Sequence, residues 1–319
     1  MSSPCRFLTG LVIGAAGLPI CLAVLFLGLD GANALKAPSF AGRLGFDEKL
    51  RILRADPPQD VQVLFAGSST TLHGLDGALL QSDFDMGGEL LNLGVQGLRV
   101  NQIKFLVDVF VTHFPSIDAV VMISTLLDFK NCSSVETEFF DHDDVLGYVS
   151  GRMPELYYYF RYLDLRGIVR RAREIGYLRN TIHDLESVAF DDYGSVLLDV
   201  PRDGVIDRVW HGDVITLDPP CYTGLRALAE ALRDQGIAFT FVLAPMRPGY
   251  LAGRDPDGSL LTEHRAETQA ALAGTDAMVI DAHAVLDMPE EAFFDAYHLK
   301  RDETQKLTHF IGEEMLTHS

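Results

Sequence analysis

Positive charge is scarce in this chain of 319 residues: 26 lysines and arginines stand against 45 aspartates and glutamates, a formal net charge of −19. Nucleic-acid binding rests on neutralising phosphates, so a balance of this sign disfavours a nucleic-acid partner. Cysteine is sparse as well, four in all, two of them within the first 21 residues. That is too few for a disulfide framework. Cys132 and Cys221 would be free to pair in an oxidising compartment, but nothing in the sequence brings them together. Beyond the N-terminus no long stretch is free of charge, which excludes a polytopic membrane protein. Internal repeats and low-complexity tracts are absent. The one acid–histidine run, Asp141-His142-Asp143-Asp144, is consecutive, and consecutive residues rarely converge on one ion, so it reads as a loop. No metal and no cofactor are expected. What the chain does have is apolar bulk, 48% hydrophobic against 22% charged, which is enough to bury a core and excludes disorder.

From Phe7 to Leu29 the chain carries no charge over 23 residues, and about 20 suffice for a helix to cross a bilayer. The run is longer than the apolar part of a secretory signal, about 7–15 residues. Pro19 would kink the span, which membrane helices tolerate. Ala32-Asn33-Ala34 leaves cleavage open, and Cys21 does not follow a lipidation motif. Residues 1–35 are therefore expected to form a signal-anchor or transmembrane segment, with the rest of the chain outside the cytoplasm. Residues 36–60 are expected to be a juxtamembrane linker ending at Asp56-Pro57-Pro58.

Residues 61–319 alternate short apolar runs with amphipathic stretches. Strands are expected over 61–66, 90–93, 118–124, 238–244 and 277–281, each short, apolar and bounded by turn residues. Helices are expected over 98–114, with apolar positions 103, 106, 107, 110, 111 and 114, and over 222–235 and 302–316. Such alternation gives a three-layer α/β/α domain with a parallel sheet covered on both faces. Residues 130–220 break the pattern and read as an insertion between strands 3 and 4. Its first part holds seven arginines over 152–179 against Glu155, Asp164 and Glu174, a local +4. That charge marks either a solvated helix or a docking surface for an anionic polymer, a lipid headgroup or a membrane partner. Its second part, Phe190–Leu217, has strand-like fragments.

Polar residues cluster at three expected strand ends, where open α/β sheets place their sites. Gly67-Ser68-Ser69 follows the first strand, with a serine hydroxyl at the start of a helix whose N-terminus favours a developing oxyanion. Asn92-Leu93-Gly94-Val95-Gln96-Gly97 follows the second, where a backbone N–H can face a substrate. Asp295-Ala296-Tyr297-His298 precedes the last helix, and an Asp three residues before a His can hold its Nδ1–H and leave Nε2 as a base. His73, one helical turn after Ser69, is expected to be partly exposed.

Together these blocks resemble the SGNH/GDSL hydrolase superfamily. The resemblance implies a flavodoxin-like fold, Ser69 as nucleophile, Asp295 and His298 as its partners, and an oxyanion hole from the Ser69 and Gly97 N–H groups. Ser68 stands where the family has Asp, and Asn92, Ser124, Thr125 and Asp128 fall beside the site. One block departs: Leu126 stands where the family has the asparagine that donates to the oxyanion, a loss of about 2.7–4 kcal/mol in a comparable hole. The membrane-anchored form resembles bacterial envelope proteins that add or remove acetyl groups on polysaccharides. It implies an extracytoplasmic esterase or O-acyltransferase acting on acyl-ester or polysaccharide substrates, with a membrane-bound O-acyltransferase as a possible partner. The alternative is a non-catalytic scaffold of the same fold that binds a polysaccharide or that partner.

Overall fold

In the computed structural model, which describes residues 3–84, 88–199 and 215–317 and the side chains of the first helix from residue 17 on, the apolar runs become five strands. They are β1 (Val61–Phe65), β2 (Glu89–Asn92), β3 (Ala119–Ser124), β4 (Ala238–Leu243) and β5 (Met278–Asp281), each within one residue of its expected ends. Every pairing is parallel and the order is β2-β1-β3-β4-β5. This is the flavodoxin-like order, which opens a crevice at the carboxyl ends of β1 and β3. The helices are α1 (Ser3–Gly31), α2 (Leu44–Ala55), α3 (Ser69–His73), α4 (Gly77–Phe84), α5 (Val100–His113), α6 (His142–Val149), α7 (Glu155–Arg161), α8 (Leu165–Arg171), α9 (Ile175–Leu178), α10 (Pro219–Asp234), α11 (Pro248–Arg254), α12 (Ser259–Leu272), α13 (Ala282–Val285) and α14 (Arg301–Thr317).

Side chains alternate across the sheet, so one strand feeds two cores. Val120, Met122, Phe239 and Phe241 bury under α2, α5, α10 and α12, while Val121, Ile123 and Val242 bury under α4 and α14. Continuous apolar strands are what two covered faces require.

Residues 36–60 are not a bare tether. Phe46, Leu50 and Leu53 lie at helical spacing on α2 and are buried in the larger core. Around them the segment is too short and too charged for that stripe to be conspicuous in the sequence. The end of α1 packs Leu22, Phe26 and Leu29 against Leu156, Tyr159, Phe160 and Ile168, with the Phe26 and Tyr159 rings 5.3 Å apart. Among the described residues no helix is long and apolar enough to cross a membrane. Side chains 7–16 of the expected span lie outside the described ones.

The insertion holds α6 to α9. Asp141 caps α6, accepting from Asp144 N at 3.0 Å, so the acid–histidine run starts a helix instead of forming a loop. Expected strand fragments over 190–217 do not form in the described parts, 190–199 and 215–217, and residues 200–214 lie outside the described ones. Gly194 takes φ +87°, and the segment becomes a strap held by single bonds. Tyr193 O accepts from Asn92 N at 2.7 Å, Val196 N donates to Leu72 O at 3.0 Å, and Leu198 O accepts from Arg301 N at 3.0 Å. Part of the basic cluster is structural: Arg161 pairs with Asp144, Arg171 with Glu174 and Glu186, and Arg179 with buried Glu48 at 3.0 Å.

Cys132 and Cys221 form a disulfide, with Cα atoms 5.4 Å apart across 89 residues of sequence. It brackets the insertion at its base, beside the end of β3 and the start of α10. Closing a loop of that length in the unfolded chain stabilises the fold by about 4–5 kcal/mol in the chain-entropy description. The Cys132→Ser, Cys221→Ser variant should therefore lose about 4 kcal/mol in urea unfolding. A loss under about 1 kcal/mol would show that native strain or residual unfolded structure cancels the closure effect.

Candidate active site

β1 ends at Phe65, and the chain reverses through Gly67. A Cβ on Gly67 would lie 1.9 Å from Thr71 Oγ1 and 3.0 Å from Ile123 O, so only glycine lets α3 start this close to β3. Thr71 Oγ1 then donates to Ile123 O at 2.7 Å and locks the turn. Ser68 is the N-cap, its Oγ accepting from Thr70 N at 3.2 Å, and Ser69 begins the helix facing the crevice. Across the sheet, residues 293–299 form a loop closed by a Phe293–Leu299 bridge and by Phe294 N donating to His298 O at 2.8 Å. Arg247 N, after β4, donates to Ala296 O at 3.0 Å and fixes that loop over the carboxyl edge.

These two turns bring residues 229 positions apart into contact. His298 Nε2 lies 2.9 Å from Ser69 Oγ, and His298 Nδ1 lies 2.7 Å from Asp295 Oδ2. The other Asp295 oxygen accepts from Tyr297 N at 3.0 Å and His298 N at 2.9 Å. A carboxylate only accepts, so Nδ1 carries the proton and Nε2 accepts from the serine hydroxyl. Burial alone would raise the Asp295 carboxyl, but the His298 charge and these hydrogen bonds outweigh it and hold its pKa at about 2. Ser69 is 7% exposed and His298 2%, a setting in which charge interactions are strong.

Asn92 is turned into the fold, away from Ser69. Its Nδ2 donates to Thr71 O and Ser195 Oγ, and its Oδ1 accepts from Gly94 N. Buried Lys49, which sequence reasoning missed, donates to Asn92 O at 2.7 Å and Gly94 O at 2.9 Å. Val95 N donates to Gly67 O at 3.0 Å, joining this turn to the serine turn. Gly97 follows on the exposed rim at φ +72°, a conformation that favours glycine. Among the described residues neither Ser69 N–H nor Gly97 N–H has an acceptor.

After β3, Asp128 Oδ2 accepts from Ser124 Oγ at 2.7 Å and from Thr125 N at 3.2 Å. Burial raises the Asp128 carboxyl, opposed by hydrogen bonds from Ser124 and Ser68. Asp128 thus couples the β3 turn to the residue before Ser69. Leu126 offers no donor to the site: it is fully buried in the larger core, because the chain enters a 3-10 turn over Leu126–Phe129 that points this side chain inward.

His73 is corrected, from partly exposed to fully buried. Its Nδ1 donates to Val196 O at 2.7 Å, its buried Nε2 has no partner among the described residues, and its ring stands edge-on to His298 at 5.3 Å. The strap that buries it comes from the insertion, which local sequence around residue 73 does not reveal. Tyr297 packs its ring 4.3 Å from His298 on another side.

No family model matches this chain, and no curated protein matches it. Solved structures do. The chain is similar to an Agrobacterium tumefaciens protein described as an arylesterase, with a TM-score of 0.41 and 12% identity over 81% of this chain and 99% of the other. It is also similar to a carbohydrate acetylesterase family member from Sinorhizobium meliloti, with a TM-score of 0.39 and 11% identity over 81% of this chain and 98% of the other.

Two further results are expected from this geometry. Leu126→Asn places an amide in an apolar core and removes a packed leucine, so it should destabilise the fold by about 3 kcal/mol without raising any turnover. A stable variant with a faster rate would put residue 126 at the site after all. Burial, then the His298 charge, push His73 down to about 3, while in the unfolded chain it titrates near 6.5. Below pH 6.5 the unfolded state alone takes up this proton, so lowering the pH disfavours folding at this position. From pH 7 to 5 the parent should lose about 2 kcal/mol relative to His73→Gln in urea unfolding. Parallel pH curves for the two would mean His73 is hydrated in solution.

Proposed function

We propose that the chain is a serine ester hydrolase or O-acyltransferase of SGNH type. The observation that carries this reading is the continuous Ser69–His298–Asp295 hydrogen-bond relay at the carboxyl edge of the sheet. Ser69 Oγ attacks an ester carbonyl as His298 Nε2 takes its proton, and Asp295 holds the imidazolium through Nδ1–H. The carbonyl oxygen becomes an oxyanion that the Ser69 and Gly97 N–H groups receive. Collapse breaks the ester C–O bond, His298 gives the proton to the departing alkoxide, and an acyl-Ser69 remains. Water or a sugar hydroxyl, deprotonated by His298, then attacks the acyl carbon. Water yields the free acid and the sugar hydroxyl a new ester, and Ser69 Oγ recovers its proton from His298.

The substrates we infer are acetyl esters of envelope or exopolysaccharide sugars, with a membrane-bound acyltransferase as donor partner if transfer is the direction. The charge-free run 7–29 would anchor the chain in the membrane, with the domain outside the cytoplasm. The Cys132–Cys221 disulfide supports an oxidising compartment. The test is exposure of the full chain, in detergent, to a fluorophosphonate probe. Labelling of the parent and none of Ser69→Ala is expected; equal labelling, or none in the parent, overturns the reading.

A further inference from the structure

Two arginines beside the candidate site hold their guanidinium groups on backbone carbonyls and, among the described residues, make no ion pair with a carboxylate. Arg43 precedes α2, and its Nη1 donates to Gln96 O at 2.6 Å and lies 3.3 Å from where a Cβ on Gly97 would stand. Arg99 precedes α5, two residues beyond Gly97. Its Nη1 donates to the carbonyls of Leu127 at 3.1 Å and Leu98 at 3.5 Å, and its buried Nε has no acceptor among the described residues. Among the described residues neither guanidinium makes an ion pair with a carboxylate, although the chain carries 45 acidic residues.

Carbonyl oxygens orient a guanidinium but do not neutralise it. Both guanidinium groups bond carbonyls of the 96–98 turn, so the two cations repel; burial first, and the Arg99 charge second, push the Arg43 guanidinium below its ordinary value, with Asp47 opposing. Such repulsion destabilises the folded chain unless an anion relieves it. Arg43 also stacks on Phe139, 5.6 Å from its ring centroid; that contact fixes the side chain without pairing its charge.

The placement links the pair to the serine. Both arginines flank the turn that carries Gly97. The Arg99 charge is also felt by Asp128, which Ser68 bonds, and by Tyr297, whose ring packs tilted against His298. In a chain of net charge −19, an anionic substrate would otherwise be repelled from this rim.

We propose that Arg43 and Arg99 form an anion subsite, so that the ester presented to Ser69 carries a carboxylate or similar negative group close to its carbonyl. This deepens the esterase reading and rests on it for the role of Ser69. The charge can sit on the alcohol side, as on an acidic sugar, or on the acyl side.

The test is calorimetric titration of the full-length Ser69→Ala protein, which binds without turnover, with two matched pairs of probes. O-acetylglycolate is compared with its neutral methyl ester, and monomethyl succinate with dimethyl succinate. At least tenfold tighter binding of one anion than of its neutral partner is expected. A preference for O-acetylglycolate puts the charge on the alcohol side, and one for monomethyl succinate puts it on the acyl side. Arg99→Gln and Arg43→Gln should each reduce the preference several-fold, Arg99→Lys should restore part of it, and the double glutamine variant should abolish it. No preference in the Ser69→Ala protein, or no measurable binding of either anion, overturns the subsite, and neither result depends on how the arginine variants fold. A preference that survives in the folded double variant overturns it too. If the parent resists the fluorophosphonate probe while the anion preference stands, the esterase reading fails and the subsite does not.

Discussion

Ser69→Ala is expected to lower turnover of an activated acetyl ester by about 10⁴-fold or more, since removing the nucleophile of such a triad disables the relay as a unit. The size of the loss follows from the geometry. Ser69 Oγ is the group within reach of His298 Nε2, at 2.9 Å, and alanine offers no atom to attack with. A small residual rate should remain from the N–H groups of Ser69 and Gly97, which the substitution leaves in place. Stability should change little, because a hydroxyl of this kind contributes about 1 kcal/mol net, with a further penalty of similar size for leaving Nε2 unpaired. Steady-state rates and urea midpoints measured on the same samples separate the two effects. Activity within about tenfold of the parent, in a folded variant, would place the nucleophile elsewhere.

Asp295→Asn is expected to cost about 10⁴-fold in turnover, as the equivalent change does in a serine protease. An asparagine can present its amide N–H to Nδ1, which turns the ring into the tautomer with its proton on Nε2. That ring cannot accept from Ser69. His298→Ala should be at least as damaging, and the double variant should lose little more than either single one. A double variant losing the full product of both effects would show that the two groups act independently, which the 2.7 Å contact between them argues against. The pH dependence sharpens this. The Asp295 carboxyl is held at about 2, below its ordinary 3.8. Its stabilising contribution is therefore complete above pH 4 and fades only between about pH 4 and 2.

The chain order of strands, the sheet with both faces covered, and the serine and aspartate–histidine turns were legible in the sequence. Each is a local signal: β1 and β4 announce themselves through consecutive apolar residues, and Asp295 and His298 sit within one turn of chain. Local signals survive because a strand's alternation and a turn's glycine depend on neighbours a few residues away. The contact of His298 with Ser69 needed the sheet order, which sets the carboxyl ends of β1 and β4 side by side around β3. The direction of Leu126 was decided by a 3-10 turn that no periodicity marks. Lys49 became buried because α2 packs it onto the Asn92–Gly94 turn, and His73 because the 190–199 strap covers it; Cys132 met Cys221 because the insertion begins and ends at one place. A side chain's type is written in the sequence, but what it faces depends on elements tens to hundreds of residues away, and only the assembled layers fix that.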